Sequence, residues 1–80
     1  MTCFVYILKS LTFKNRYVGV AKDLKKRLQE HNLGRCRYTK GRRPWRIIYT
    51  EEFFDLSSAR KREVFLKSGQ GRKWLDKNVN

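Results

Sequence analysis

Cysteine, histidine and proline are scarce in this chain, and so are acids. Its 80 residues include 2 Cys, 1 His and 1 Pro, and 7 acidic residues stand against 20 Lys and Arg. Two isolated cysteines exclude a disulfide framework. With His31 alone they make no zinc-ligand spacing, so Cys3 and Cys36 read as core thiols in a reducing compartment. No apolar run reaches the length of a membrane span, and no basic helix offers a broad apolar face, so no membrane partner is expected. The opening MTCFVYILKS has no basic segment before its apolar stretch and no cleavage pattern after it, which argues against a secretory signal. A cytoplasmic, nucleoid-associated protein is the expectation.

What is abundant is positive charge, formally +13, spread along the chain and not gathered in a tail. Such a distribution suits a folded basic surface, and a phosphate polymer is its expected partner. The length allows one domain, residues 1–80, with a single modest core. Any site must therefore be built on the elements that hold the fold together.

CFVYIL is a short apolar run rich in branched and aromatic residues and reads as a strand covered on both faces. RYVGV is a second strand, and a hairpin centred near Leu11 and Thr12 sets Tyr6 across from Tyr17 on one face. From Asp23 the period changes. Asp23 is a fitting N-cap, Leu24 and Leu28 form a helical stripe, and the helix should end near Asn32 to Gly34. CRYTKGRRP reads as an exposed basic loop with Tyr38 as a stacking group, and WRIIYTEEF as a third strand. Asp55, Ser57 and Ser58 are candidate caps of a second helix running to about Ser68. Gly69 and Gly71 break it, and RKWLDK forms a short terminal helix. The order β-β-α-β-α-α describes a small α+β domain with helices on an antiparallel sheet.

Two helical projections raise questions. In the first helix Arg27 and His31 fall beside Leu24 and Leu28, so the guanidinium sits at the edge of a buried stripe. It either snorkels there or is held for a purpose, and His31 either complements the helix C-terminus or joins it. In the second helix Leu56, Ala59 and Leu66 form an apolar stripe with Glu63 in its middle. A buried carboxylate needs a cation, donors or a metal ion, so a salt bridge to Arg27 and a metal-ligand role carry equal weight. Tyr6 and Tyr17 are by default core tyrosines with hydroxyls at the rim, and Gly19 leaves space beside them. Two tyrosines, a fixed arginine, a histidine and a buried glutamate are also a set that metal-assisted phosphodiester hydrolysis could use. Lys22, Lys26, Arg35, Arg37, Lys40, Arg42, Arg43 and Lys67, with Tyr38, are the candidate nucleic-acid contacts, for backbone attraction and base stacking.

Together these residues resemble the GIY-YIG nuclease superfamily, in particular short stand-alone bacterial members related to the N-terminal nuclease domain of the excision-repair protein UvrC. Phe4-Val5-Tyr6 stands where GIY is expected, and Tyr17-Val18-Gly19 matches YIG. KDLKKRLQEHN, TKGRRPWRIIYTE and ARKREVFLK follow in the family's order, so the match spans nearly the whole chain. The resemblance implies a three-stranded antiparallel sheet flanked by about three helices, and divalent-metal-dependent cleavage of DNA in repair or recombination. It implies catalytic roles for Tyr6, Tyr17, Arg27, His31 and Glu63, with Glu63 as the single ligand of Mg2+ or Mn2+. Water is the nucleophile, one tyrosine is the general base, and Arg27 with His31 contacts the scissile phosphate. Phe4 in place of glycine, Ala21 in place of threonine, and no clear downstream asparagine are the departures. Low sequence specificity and a preference for DNA structure are expected from an enzyme without a second DNA-binding domain. A non-catalytic binder of DNA or RNA with the same fold is the alternative, and Glu63 discriminates, because a pure binder gains nothing from an acid facing phosphate.

Overall fold

The apolar runs become three strands in the computed structural model, which describes residues 2–79. β1 (Cys3–Ser10), β2 (Arg16–Ala21) and β3 (Trp45–Phe53) form one antiparallel sheet in the order β2-β1-β3. α1 (Leu24–Asn32) follows β2, and α2 (Leu56–Lys67) and α3 (Gly69–Asn78) follow β3. The α+β class and the element order are those expected from the sequence. Among the described residues no helix is long and apolar enough to cross a membrane.

β1 is central and covered on both faces, as its unbroken apolar run requires. Cys3, Val5 and Ile7 pack with Val18 of β2 and with Ala59, Leu66 and Leu75 of α2 and α3. Tyr6 and Leu8 point the other way and pack with Trp45, Tyr17, Leu24 and Leu28. α1 therefore covers one face, and α2 with α3 the other. Arg62 ties α2 to the sheet through a two-pronged bond to Glu51, at 2.8 and 3.0 Å.

The hairpin register differs from the expectation. Tyr6 pairs with Gly19, and Tyr17 pairs with Leu8. The turn is held by its own bonds: Ser10 N–H donates to the Asn15 carbonyl at 3.0 Å, and the Ser10 hydroxyl accepts from the Thr12 and Phe13 amides at 3.2 and 3.0 Å. This shifts its centre to between Thr12 and Phe13. The shift moves the pairing by two residues, an even number, so Tyr6 and Tyr17 still share a face.

The helix boundaries follow their caps. Asp23 accepts from the Lys26 amide and Asp55 from the Ser58 amide, at 3.0 and 2.7 Å. α1 ends in a Schellman turn: Arg35 N–H donates to the Glu30 carbonyl, and Gly34, at φ 80°, to that of His31. Two expectations fail after residue 55. Leu56 does not join the buried stripe, because this first helical residue lies at its margin and stays exposed. Gly69 and Gly71 do not delay α3. Ser68 ends α2 and caps the next helix at once, its hydroxyl accepting from the Gly71 amide at 3.2 Å.

Candidate active site

The site grows from a close approach in the hairpin. Because Tyr6 faces Gly19 across the ladder, its ring end lies directly over that residue. A Cβ at Gly19 would stand 2.5 Å from Tyr6 Cζ and 3.0 Å from Tyr17 Cε2. The glycine is needed because a phenol occupies the space a side chain would take. Behind it, Tyr6 Oη is 3.0 Å from His31 Nε2, and His31 Nδ1 is 2.7 Å from Thr39 Oγ1. All three residues are interior: Tyr6 and Thr39 are 1% exposed and His31 0%. Gly19→Ala should push the phenol off the imidazole. Overpacking of this kind costs about 1–3 kcal/mol, or roughly 5–20 °C in melting temperature for a domain of this size. Thermal unfolding followed by circular dichroism measures it, and an unchanged midpoint would disprove the close approach.

Arg27 acts on the Tyr6 hydroxyl, and this interaction is the main reason its guanidinium is held above its ordinary pKa. It also pairs with Glu30 at 3.0 Å. Burial pushes the Tyr6 phenol up to about 12, although Arg27 opposes the shift. Burial, then the charge of Arg27, pulls His31 down, so the imidazole is held neutral. Tyr17 is half-buried, with its ring edge-on to His31 at 5.0 Å and its outer side toward Tyr38 at 6.4 Å. Burial raises its pKa; the charges of Lys67 and Arg27 act in the opposite sense.

Tyr6, Tyr17 and Thr39 enclose His31. The reading of Cys36 as a core thiol is corrected. Cys3 is a core thiol, but Cys36 is only half-buried and close enough to Tyr6, Tyr17 and Arg27 to act on each electrostatically. Burial pushes its thiol up, but backbone hydrogen bonds from Tyr38 and Thr39, with the charge of Arg27, act against it, and the pKa is lowered.

Glu63 is 8% exposed in the middle of α2, as the projection suggested. Its partner is not Arg27. Arg60 and Lys67, one turn away on the same helix, each reach a carboxylate oxygen at 3.0 Å, while α1 and α2 lie on opposite faces of the sheet. Burial pushes the carboxyl up, yet the two cations outweigh it and keep Glu63 below its usual pKa. Tyr17 joins the two halves of the site. Glu63 acts on its phenol electrostatically, and Lys67 Nζ sits 5.9 Å from its ring centre.

Among the described residues no three His, Cys, Asp or Glu side chains are grouped to hold a metal. The donor set is a single ionised carboxylate. That does not fit a zinc cage. It fits Mg2+ or Mn2+, hard cations that bind through one or two carboxylates and complete their shell with water and substrate phosphate. Lys67 and Arg60 are both more than half exposed and have room to swing aside.

Tyr17 and Tyr38 open into a cleft of ≈ 740 Å³ along the free edge of β2. Arg42 and Lys67 line it, joined by Lys14, Arg16 and Arg72, which the sequence reading missed. Arg16 is paired with Asp76 at 2.7 Å. The missed cations come from the hairpin and α3, and only the position of Lys14 and Arg16 just before Tyr17 signalled them. Lys22, Lys26, Arg35, Arg37, Lys40 and Arg43 are exposed but lie outside this cleft.

Known proteins resemble this chain over most of its length. Residues 2–76 match the model of the GIY-YIG catalytic domain. A UPF0213 protein of Staphylococcus saprophyticus is 41% identical over 73 residues, covering 90% of this chain and 88% of the relative. A UPF0213 protein of Staphylococcus aureus matches to the same extent. The solution NMR structure of a UPF0213 protein from Bacillus halodurans superposes with a TM-score of 0.57 at 30% identity, covering 96% of this chain and 84% of that one.

Proposed function

The chain belongs to the GIY-YIG family, and on that premise we propose that it is an endonuclease that hydrolyses DNA phosphodiester bonds with the help of Mg2+ or Mn2+. The observation that carries this reading is Glu63, a nearly buried carboxylate kept ionised beside Tyr17 on a strongly basic protein. A binder of nucleic acid has no use for it there.

The accessible groups take the chemistry and the buried ones hold them. Arg27 meets the scissile phosphate, and its fixed fork suits two phosphate oxygens. Glu63 would hold the divalent cation, which supplies Lewis-acid withdrawal of charge from the phosphate. Tyr17, the phenol that opens into the cleft, orients the attacking water and in its ionised form takes the water's proton. The new O–P bond forms as the bond to the leaving sugar oxygen breaks, and that oxygen takes a proton from solvent. A phenol needs nearby positive charge to serve as a base near neutrality; Lys67 and Arg27 act in that direction against burial, and a cation held at Glu63 would add to them. Tyr6 is too deeply buried to reach water and acts through Arg27.

Labelled single-stranded, duplex and branched DNA incubated with the protein and Mg2+, Mn2+ or EDTA tests the proposal. Cleavage that needs the metal and falls at least 100-fold in Tyr17→Phe is expected, in the range of general-base catalysis at roughly 10²–10⁴. Binding of DNA or RNA with no cleavage of any substrate would favour the non-catalytic alternative. Backbone contacts in the cleft predict low sequence specificity and strong salt dependence. The double variant Lys14→Ala, Arg72→Ala should lower the slope of log affinity against log salt by about 2, because each phosphate contact contributes about 0.9.

A further inference from the structure

Three polar side chains stand in line beneath the candidate site with almost no access to water: Thr39, His31 and Tyr6. Counting donors and acceptors fixes how their protons lie. The Tyr6 hydroxyl has one hydrogen-bond partner among the described residues, His31 Nε2, and the Arg27 guanidinium also acts on it. A guanidinium only donates, so the phenol proton has one place to go, and that is Nε2. Nε2 must then be bare, and a neutral imidazole carries its proton on Nδ1. Thr39 confirms this from the other end. Its hydroxyl donates to the Cys36 carbonyl at 3.4 Å, which leaves a lone pair for the Nδ1 proton at 2.7 Å. Among the described residues no buried side-chain nitrogen or oxygen is left without a partner. The reverse assignment would leave the phenol proton unsatisfied in the interior, at a cost of about 1–3 kcal/mol.

We propose that Thr39 is a positioning residue for the reaction: it accepts the Nδ1 proton of His31, fixes the imidazole as acceptor of the Tyr6 proton, and so turns the phenol oxygen toward the Arg27 guanidinium. Tyr6 and His31 belong to the same device. The family pattern makes them catalytic; their burial makes them the support of a catalytic arginine. The loop that carries Thr39 is itself anchored, since the Trp45 indole donates to the Thr39 carbonyl at 2.9 Å and Asn32 brackets the Trp45 backbone at 2.7 and 3.0 Å. The effect on rate rests on the nuclease reading above, whereas the protonation pattern does not.

His31 is the sole histidine, so long-range proton–nitrogen NMR reads its ring without ambiguity. The wild type should show a neutral imidazole protonated on Nδ1, the tautomer less favoured in water. Thr39→Ser should keep it, and Thr39→Val should shift the ring toward Nε2 protonation. In the cleavage assay Thr39→Val should lower kcat about 10- to 100-fold through misplaced Arg27, with DNA affinity little changed and the rate restored in Thr39→Ser. An Nε2-protonated or doubly protonated ring in the wild type at neutral pH overturns the proposal even if Thr39→Val fails to fold. A Thr39→Val protein with wild-type tautomer and rate also overturns it. Finding the Nδ1 tautomer in a protein that cleaves nothing would support the hydrogen-bond chain and count against the nuclease reading alone.

Discussion

Glu63→Gln is expected to abolish metal-dependent cleavage, at least 1,000-fold, while DNA binding persists or tightens. Loss of a catalytic cation removes several kcal/mol of transition-state stabilisation, and about 4 kcal/mol corresponds to 1,000-fold. No neighbouring acid can substitute. Glu30 is bonded to Arg27, Glu51 to Arg62 and Asp76 to Arg16, Asp23 and Asp55 cap helices, and Glu52, paired with Phe4, is exposed on the α1 face of the sheet. The amide has the size of the carboxylate and its oxygen can still accept from one of Arg60 and Lys67, while the other, more than half exposed, turns to water, so the fold should persist. Removing a negative charge from a surface that meets phosphate should not weaken binding. Gel-shift and cleavage assays on the same preparation, with a thermal melt as control, separate these effects. Retained cleavage in Mg2+ would remove Glu63 from the metal site.

Gly71→Ala should have the largest effect on stability, and with the opposite sign to the usual one. Within a helix, alanine is ordinarily better than glycine by about 1 kcal/mol. Here a Cβ would lie 2.5 Å from Leu66 Cα and 2.7 Å from the Phe65 carbonyl carbon. These are backbone atoms of α2 and cannot rotate away, so α3 must move off α2. That exposes Leu75 and Val79, each buried in the main core, at about 1.5–3 kcal/mol per side chain. A small domain is stable by only about 5–15 kcal/mol, so a loss of 3 or more is expected to drop the melting temperature by at least ~15 °C. Gly69→Ala is the control. Nothing lies within 4 Å of its would-be Cβ, so that change should be neutral or mildly stabilising. Equal melting points for the two variants would show that the helices do not pack so closely.

These glycines show where the sequence was legible and where it was not. CFVYIL announced a strand covered twice, Asp23 and Asp55 announced helix starts, and Glu63 was visibly out of place in its stripe. Each signal is local and follows from backbone period or capping. Gly71 carried the wrong local signal, because its reason is a neighbouring backbone that sequence spacing does not reveal. Tyr6 and Tyr17 were correctly placed on one face, but their pairing turned on hydrogen bonds of Ser10 inside the turn. The partner of Glu63 was misjudged for a related reason. Arg27 is a partner only if α1 and α2 share a face, and the sheet lies between them. Thr39 gave no signal, since a threonine in a basic loop looks the same whether solvated or buried against an imidazole.

β2 has one further consequence, and it concerns what two copies of the protein do to each other. As an outer strand it presents unpaired backbone groups on its free side, a template onto which another chain can add. Lys14, Arg16, Lys67 and Arg72 stand around that edge, so a second copy meets like charge before it meets the strand. The cations proposed to draw in nucleic acid thus also act as a guard against self-association. Their two effects respond to the same variable: salt that weakens the grip on phosphate also lowers the barrier between copies.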